Sequence, residues 1–441
     1  MRSKDSKKEM KIITGKVENS FTEERLTSYS GLGVVWDFIG SIGLTGLINQ
    51  VFPTRQTNAG VFSNVQILLS VVLANLSGVH RLRRIENFTC DPLASHLLGL
   101  PRRIEDSTFK DRLLKLGESG AIHLQESLFG QTKKWLRKCN LSRITIDCDS
   151  TVQTVYGSQQ GAAVGYNPHK KGAPSYHPLL CYCTEMKLLV NSWFRTGSAY
   201  TSNGICDFVS QTLAILPDKV GQIFFRADSG FFNGALFDLL EEKGHEYLVK
   251  VKLKNLSDLL KKLHWTRLND QVSICGFPYK AKYWKVSRTL RAIRILSGFD
   301  TYEHLGEVFR VPQYEYFCYC SNLKGLNAEG LHEVYGARAE SENWIEQTKN
   351  QLHASQTITD DFRVNDILWQ LAALGYNLSV MMRYQADHTI WRQEPLTFMR
   401  WFIVVPGKVV KSARKKFVKM SRYYWYAPQW QTFAQKVASS A

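Results

Sequence analysis

From Leu32 to about residue 140 the apolar positions keep a helical rhythm, in Val35-Trp-Asp-Phe-Ile, in Val65-Gln-Ile-Leu-Leu-Ser-Val-Val-Leu and beside the basic run Arg81-Leu-Arg83-Arg84-Ile. A break at Pro101 precedes Glu105-Asp106-Ser107-Thr108, where Asp106 or Ser107 is placed to cap a new helix. Two short helices across this turn fit a helix-turn-helix or an ordinary bundle with a basic rim. Residues 1–30 are charged and aperiodic, which predicts a loose arm, and 31–140 then form a helical N-terminal domain placed to bind DNA.

Past Arg143 the rhythm shortens to strands. One covers 143–149, and His177-Pro-Leu-Leu-Cys-Tyr-Cys and Lys187-Leu-Leu-Val-Asn-Ser-Trp-Phe supply two more across a tight Thr-Glu-Met turn. A helix at 204–216, a strand ending at Asp228, a helix at 232–243 and a strand from Glu246 follow. Three antiparallel strands, then helix, strand, helix and strand, is the order of a ribonuclease-H-like α/β fold. Its first and fourth strands lie side by side. The predicted core runs over 141–253 and resumes at 331–395, because the interval between is too long for a loop and must hold an insertion, 254–330. There Lys282-Tyr-Trp284-Lys-Val-Ser-Arg288-Thr-Leu-Arg291-Ala-Ile-Arg294 alternates as β-strand with one cationic face. Val364 to Met382 reads as a long core helix, and 396–441 as a basic C-terminal tail.

Composition narrows the class. With 441 residues and 44% hydrophobic content the chain is long enough for several domains and a large core. A net charge of +17 favours a polyanionic partner, nucleic acid first. The nine cysteines show no CxxC pair or zinc-ligand spacing, which suits reduced thiols and a cytoplasmic protein, and a nucleic-acid partner would then make it nucleoid-associated. The apolar runs at 65–79 and 366–382 are interrupted by Asn, Gln or Ser, so no membrane span is expected.

The candidate chemistry is carboxylate chemistry. Arg143-Ile-Thr-Ile-Asp147-Cys-Asp149-Ser-Thr151 and Gly221-Gln-Ile-Phe-Phe-Arg-Ala-Asp228-Ser-Gly230 each read as a strand ending in aspartate and a turn. Asp147 and Asp149, two apart, share a strand face, and either can be the ligand; Asp149 sits at the strand end. Further on, Tyr335, Arg338, Glu342 and Lys349 fall within an arc of roughly 60° on one helix, with Glu346 the rival carboxylate at its edge. Three converging carboxylates suit a hard divalent cation, and two such ions serve in-line phosphoryl displacement.

At these residues the sequence resembles a known family. Tyr335, Arg338, Glu342 and Lys349 reproduce the Y-x2-R-x3-E-x6-K signature of one branch of bacterial insertion-sequence DDE transposases, and the two aspartate motifs are similar to that branch's first and second. The resemblance spans about residues 65–425. It implies a ribonuclease-H-like core with a β-rich insertion, and Asp149, Asp228 and Glu342 holding two Mg2+ ions, with Mn2+ as a substitute. It further implies DNA as partner, both terminal inverted repeats and target, and a homodimer at synapsis. Tyr335, Arg338 and Lys349 would then grip phosphates beside the scissile bond. Trp284 or Trp265 would stack on an extruded base, and His169, Lys170 and Lys171 would reach DNA from their loop. A nuclease that does not rejoin ends, or a DNA-binding protein that has lost catalysis, are the rival readings.

Overall fold

The computed structural model describes residues 12–439 apart from 16, 54–61, 166, 169, 200, 201, 203, 305, 306 and 414. Helices precede the long strands: α1 (Leu32–Ser41), α2 (Leu44–Val51), α3 (Asn64–Leu76), α4 (Leu82–Phe88), α5 (Pro92–Leu97) and α6 (Asp106–Cys139). Ser63 and Gln66 close a reciprocal capping box at the start of α3, which is then buried from Ile67 to Leu76. α4 buries Leu82, Ile85 and Phe88 and leaves Arg83 and Arg84 exposed. The cap of α6 differs from expectation. Glu105 holds that position without a side-chain bond, while Asp106 lies in the first turn, where its charge faces the positive helix end. α6 kinks at Gly117, whose φ of 62° and ψ of −160° are open to glycine and strained for other residues.

The strands of the middle segment are β1 (Arg143–Ser150), β2 (Leu179–Cys183), β3 (Leu188–Trp193), β4 (Gln222–Ala227) and β5 (Glu246–Lys250), with α7 (Ile205–Ile215) and α8 (Gly234–Glu242) between the last three. They lie in the order β3-β2-β1-β4-β5, β1 being parallel to β4 and antiparallel to β2. The insertion adds a short helix, α9 (Leu256–Lys261), and three long strands: β6 (Val272–Tyr279), β7 (Arg288–His304) and β8 (Glu307–Ser321). These extend the same sheet, because β8 pairs with β5 through Leu248↔Ser321 and Val249↔Cys320. Arg288 clamps the join by binding Asp238 and Glu241 on α8 at 2.6 and 2.7 Å.

After the insertion come α10 (Ala328–Gly336), α11 (Ala339–Glu346) and α12 (Phe362–Ala386), capped by Asp361. α12 is buried on nearly every side, between the sheet and α3 and α6. The C-terminal segment folds as well: β9 (Gly407–Ser412) and β10 (Lys415–Met420) form a hairpin, and α13 (Ala427–Ser439) buries Phe433 and Val437. Leu26 and Thr27, expected in a loose arm, pair with β9 instead. One apolar cluster runs from Leu32 to Val437, so first and last segments share a core. Among the described residues no single helix is long and apolar enough to cross a membrane.

Candidate active site

Parallel pairing sets the first two acids side by side. Ala227 of β4 is in register with Cys148 of β1, so the next residues, Asp228 and Asp149, leave neighbouring strands at the same level, where strand spacing is about 4.8 Å. Asp228 caps the turn Ser229–Phe231 and accepts the Gly230 N–H at 3.0 Å. Asp149 accepts its neighbour Ser150 N–H at 2.8 Å and is mostly buried, its side chain 16% exposed. Burial pushes the Asp149 carboxyl up to about 6; Arg338 opposes that rise, and the charge of Asp228 adds to it.

The stretch from Tyr335 to Lys349 is not one helix. α10 ends at Gly336, Ala337 and Arg338 form a turn, α11 carries Glu342, and Gln347–Gln351 widens into a π turn that holds Lys349. Glycine favours a helix end over an interior, and Ser341 fixes the restart by donating its hydroxyl to the Arg338 carbonyl at 2.8 Å. The break lets Arg338 point inward. Its guanidinium binds Asp149 at 2.7 Å and the Cys148 carbonyl at 3.3 Å, and stands 3.9 Å from Glu342. Burial alone would weaken its charge, but Asp149, Tyr335 and Asp228 together hold the Arg338 pKa above its ordinary value. Tyr335 packs on Tyr319 with ring centroids 5.1 Å apart and lies beneath the Arg338 guanidinium. Burial raises the Tyr335 pKa to about 12, Arg338 opposing and Asp228, Asp149 and Glu342 adding to it. Lys349 donates to the Thr151 hydroxyl at 2.7 Å and the Val152 carbonyl at 3.1 Å. α11 and the π turn after it are pinned to the sheet by Tyr182 of β2, whose hydroxyl donates to the Trp344 carbonyl at 3.3 Å and bonds the Thr348 hydroxyl at 2.9 Å.

The remaining candidates have other neighbours. Asp147 is buried and accepts two bonds from Arg226, at 2.8 and 2.7 Å, and one from Thr184 at 2.7 Å. Arg226 in turn donates to the Val334 carbonyl at 2.8 Å, tying β4 to the end of α10. Glu346 is exposed and accepts from Asn350 at 3.0 Å. Trp284 lies over Gly234 of α8, within a cluster of Phe232, Phe237 and Tyr279. Trp265 donates to the Leu260 carbonyl and packs on Tyr316. Lys171 is exposed, Lys170 sits 4.6 Å from the Tyr156 ring, and His169 lies outside the described residues.

Sequence reasoning missed two open aromatics. Tyr283, 87% exposed beside Lys282, and Tyr156, 80% exposed beside Lys170, are solvent-facing rings with cationic neighbours. A tyrosine between lysines in Lys280-Ala-Lys282-Tyr-Trp-Lys285 was the available signal.

Among the described residues no three His, Cys, Asp or Glu side chains form a ready metal cage. The guanidinium of Arg338 stands between Asp149 and Glu342. The donor set nevertheless fits a hard divalent cation. Its oxygens are carboxylates, two of them are close enough to repel, and Glu342 is 70% exposed and free of short bonds to Arg338.

Comparison with known proteins adds a family. The family model described as Transposase DDE domain group 1 matches residues 10–441. No curated protein matches. Two solved structures are similar in part. The first is a piggyBac transposase synaptic complex with hairpin DNA, 14% identical over 86% of this chain and 81% of that one, with a TM-score of 0.44. The second is a Mos1 transposase paired-end complex with the left transposon end, 10% identical over 44% and 60%, with a TM-score of 0.18.

Proposed function

We propose that this chain, which belongs to the transposase DDE domain group 1 family, is an insertion-sequence transposase that cleaves DNA at its element's ends and joins the 3′-ends to target DNA. The observation that carries the reading is the meeting of Asp149 and Glu342 at one buried arginine, with Asp228 in register beside Asp149. The strand order β3-β2-β1-β4-β5 supports a ribonuclease-H-like core.

Asp149, Asp228 and Glu342 would hold Mg2+, or Mn2+ in its place. When bound, the metal supplies a Lewis acid for the attacking oxygen and charge for the leaving 3′-oxygen. The protein's own side chains do the rest. Arg338 aims Asp149 and favours its ionised form against burial, and in the bound state its five donors suit a phosphate. Tyr335 supports the Arg338 guanidinium from below. Lys349, fixed to the segment after Asp149, places a positive charge beside the substrate backbone, and Lys170 and Lys171 extend that grip along the DNA. Tyr283 supports base stacking better than Trp284, whose ring is committed to packing on Gly234. Terminal inverted repeats are the specific substrate, and two copies of the chain hold two ends together.

The test compares Glu342→Gln with Glu346→Gln on duplexes carrying the element ends, read as strand cleavage with Mg2+ or Mn2+. Loss in the first and retention in the second is expected; the reverse would assign the third acid to Glu346. Pre-cleaved ends incubated with plasmid target should give joined product. Cleavage without joining would make the protein a nuclease, and no reaction from the unsubstituted chain would make it a DNA-binding relative.

A further inference from the structure

The hairpin of β7 and β8 outruns its sheet. β6 accompanies β7 only to Ile295, and the Leu296 N–H makes a last outside bond to Gln271 at 2.8 Å. Beyond an irregularity at Ser297 the two strands pair only with each other, from Gly298↔Gln313 to His304↔Glu307. Seven residues per strand make an arm roughly 20 Å long. Side chains directly across an antiparallel pair share a face. One face therefore carries Tyr302, Phe309 and Val311 with Asp300 and Glu307; the other carries Phe299, Val308 and Pro312 with Glu303. Phe299 is 56% exposed, Tyr302 54% and Val308 65%. A two-stranded ribbon with apolar side chains open on both faces is marginal in water by itself.

Charge selects the occupant. The arm has Asp300, Glu303 and Glu307 against Arg310 alone, whereas its root has Arg288, Arg291 and Arg294 and the whole chain carries +17. An acidic tip repels a phosphate backbone and attracts this chain's own basic surface. The β9–β10 hairpin offers the complement. β10 is an edge strand, and Lys415, Phe417 and Lys419 alternate on its open face while Val418 turns toward the core. We propose that the arm of one copy docks on the β9–β10 hairpin of a second copy, Tyr302, Phe309 and Val311 covering Phe417 and Asp300 and Glu307 meeting Lys415 and Lys419. Reciprocal exchange of two arms gives a closed, two-fold assembly. This deepens the two-copy reading above by naming its contact, and it does not depend on the metal chemistry.

The experiment is sedimentation velocity on the full chain at micromolar concentrations, with and without a random-sequence duplex. Variants are Asp300→Lys with Glu307→Lys, Lys415→Glu with Lys419→Glu, the four combined, and residues 299–312 replaced by Asn-Gly. The unsubstituted chain is expected to dimerise, and either charge pair alone or the arm replacement to weaken dimerisation roughly tenfold or more. The combined variant should restore it. Unchanged circular dichroism and thermal midpoint in the variants would show that folding is intact. A monomeric unsubstituted chain under both conditions, a dimer that survives the arm replacement, or a combined variant that stays monomeric would each overturn the proposal. So would variants that keep the dimer and lose duplex affinity, which would make the arm a DNA contact. Loss of cleavage in Glu342→Gln bears only on the catalytic reading, and dimerisation of that variant should be unchanged.

Discussion

Asp147 and Asp149 stand two residues apart on one strand face, and their neighbours separate their roles. Asp147 meets Arg226 and Thr184 in the interior, while Asp149 meets Arg338 at the strand end. Asp147→Asn should cost about 3–5 kcal/mol, since it leaves the Arg226 charge buried without its partner; chemical denaturation measures this. Combining Asp147→Leu with Arg226→Met should recover most of the loss. A second carboxylate gives a pH prediction. Burial raises the Asp366 pKa to about 7, the Gln370 bond opposing and Glu118 adding to the rise. Its folded pKa lies above the unfolded value of 3.8, so this stabilising contribution is full below pH 4 and is lost as pH rises through 7. Asp366→Asn should therefore raise the thermal midpoint more at pH 8 than at pH 5; an equal shift at both would refute the titration. The aspartate motifs were legible in the sequence, and strand-end position already favoured Asp149 over Asp147; the partners that set the two apart, Arg226 and Arg338, were not, because they are distant in the chain.

Elements answer to the same contacts. Strand β3 lies at the sheet's edge and skips one residue against β2 between Asn191 and Leu189. Asn377 of α12 satisfies the buried backbone left unpaired there, accepting the Leu189 N–H at 2.9 Å and donating to its carbonyl at 2.8 Å. Asn377→Ala should destabilise the chain by about 1–3 kcal/mol, the cost of stranding buried backbone groups. Faster amide exchange at Leu189 would accompany it, and an unchanged exchange rate would show that the bridge is dispensable. The strands β1 to β5 and helix α12 were readable from periodicity within a few residues. The break at Arg338 and the π turn at Lys349 were not: local helical spacing continues through both, and only bonds to β1 and to the segment after it draw these side chains inward.

At the scale of the whole molecule, the charge of +17 predicts how DNA is held. Affinity for a generic duplex should fall steeply with salt, log K against log salt having a slope of several units from counterion release. A flat titration would contradict a phosphate-tracking surface. Replacing the acidic arm should leave that slope nearly unchanged, because Arg310 is its one arginine or lysine against three carboxylates. The loose arm expected at 1–30 illustrates the limit of reading charge as disorder, and the basic tail at 396–441 the limit of reading charge for its packing. Leu26 and Thr27 join β9, and α13 inserts Phe433 and Val437 into the common core. The strand order, the basic character and the candidate acids were all legible from local spacing or composition. Tertiary structure alone decided which aspartate faces Arg338, that the insertion continues the core sheet, and that an acidic ribbon projects beyond it. Each of those depends on pairing between segments far apart in the chain, whose register no local pattern records.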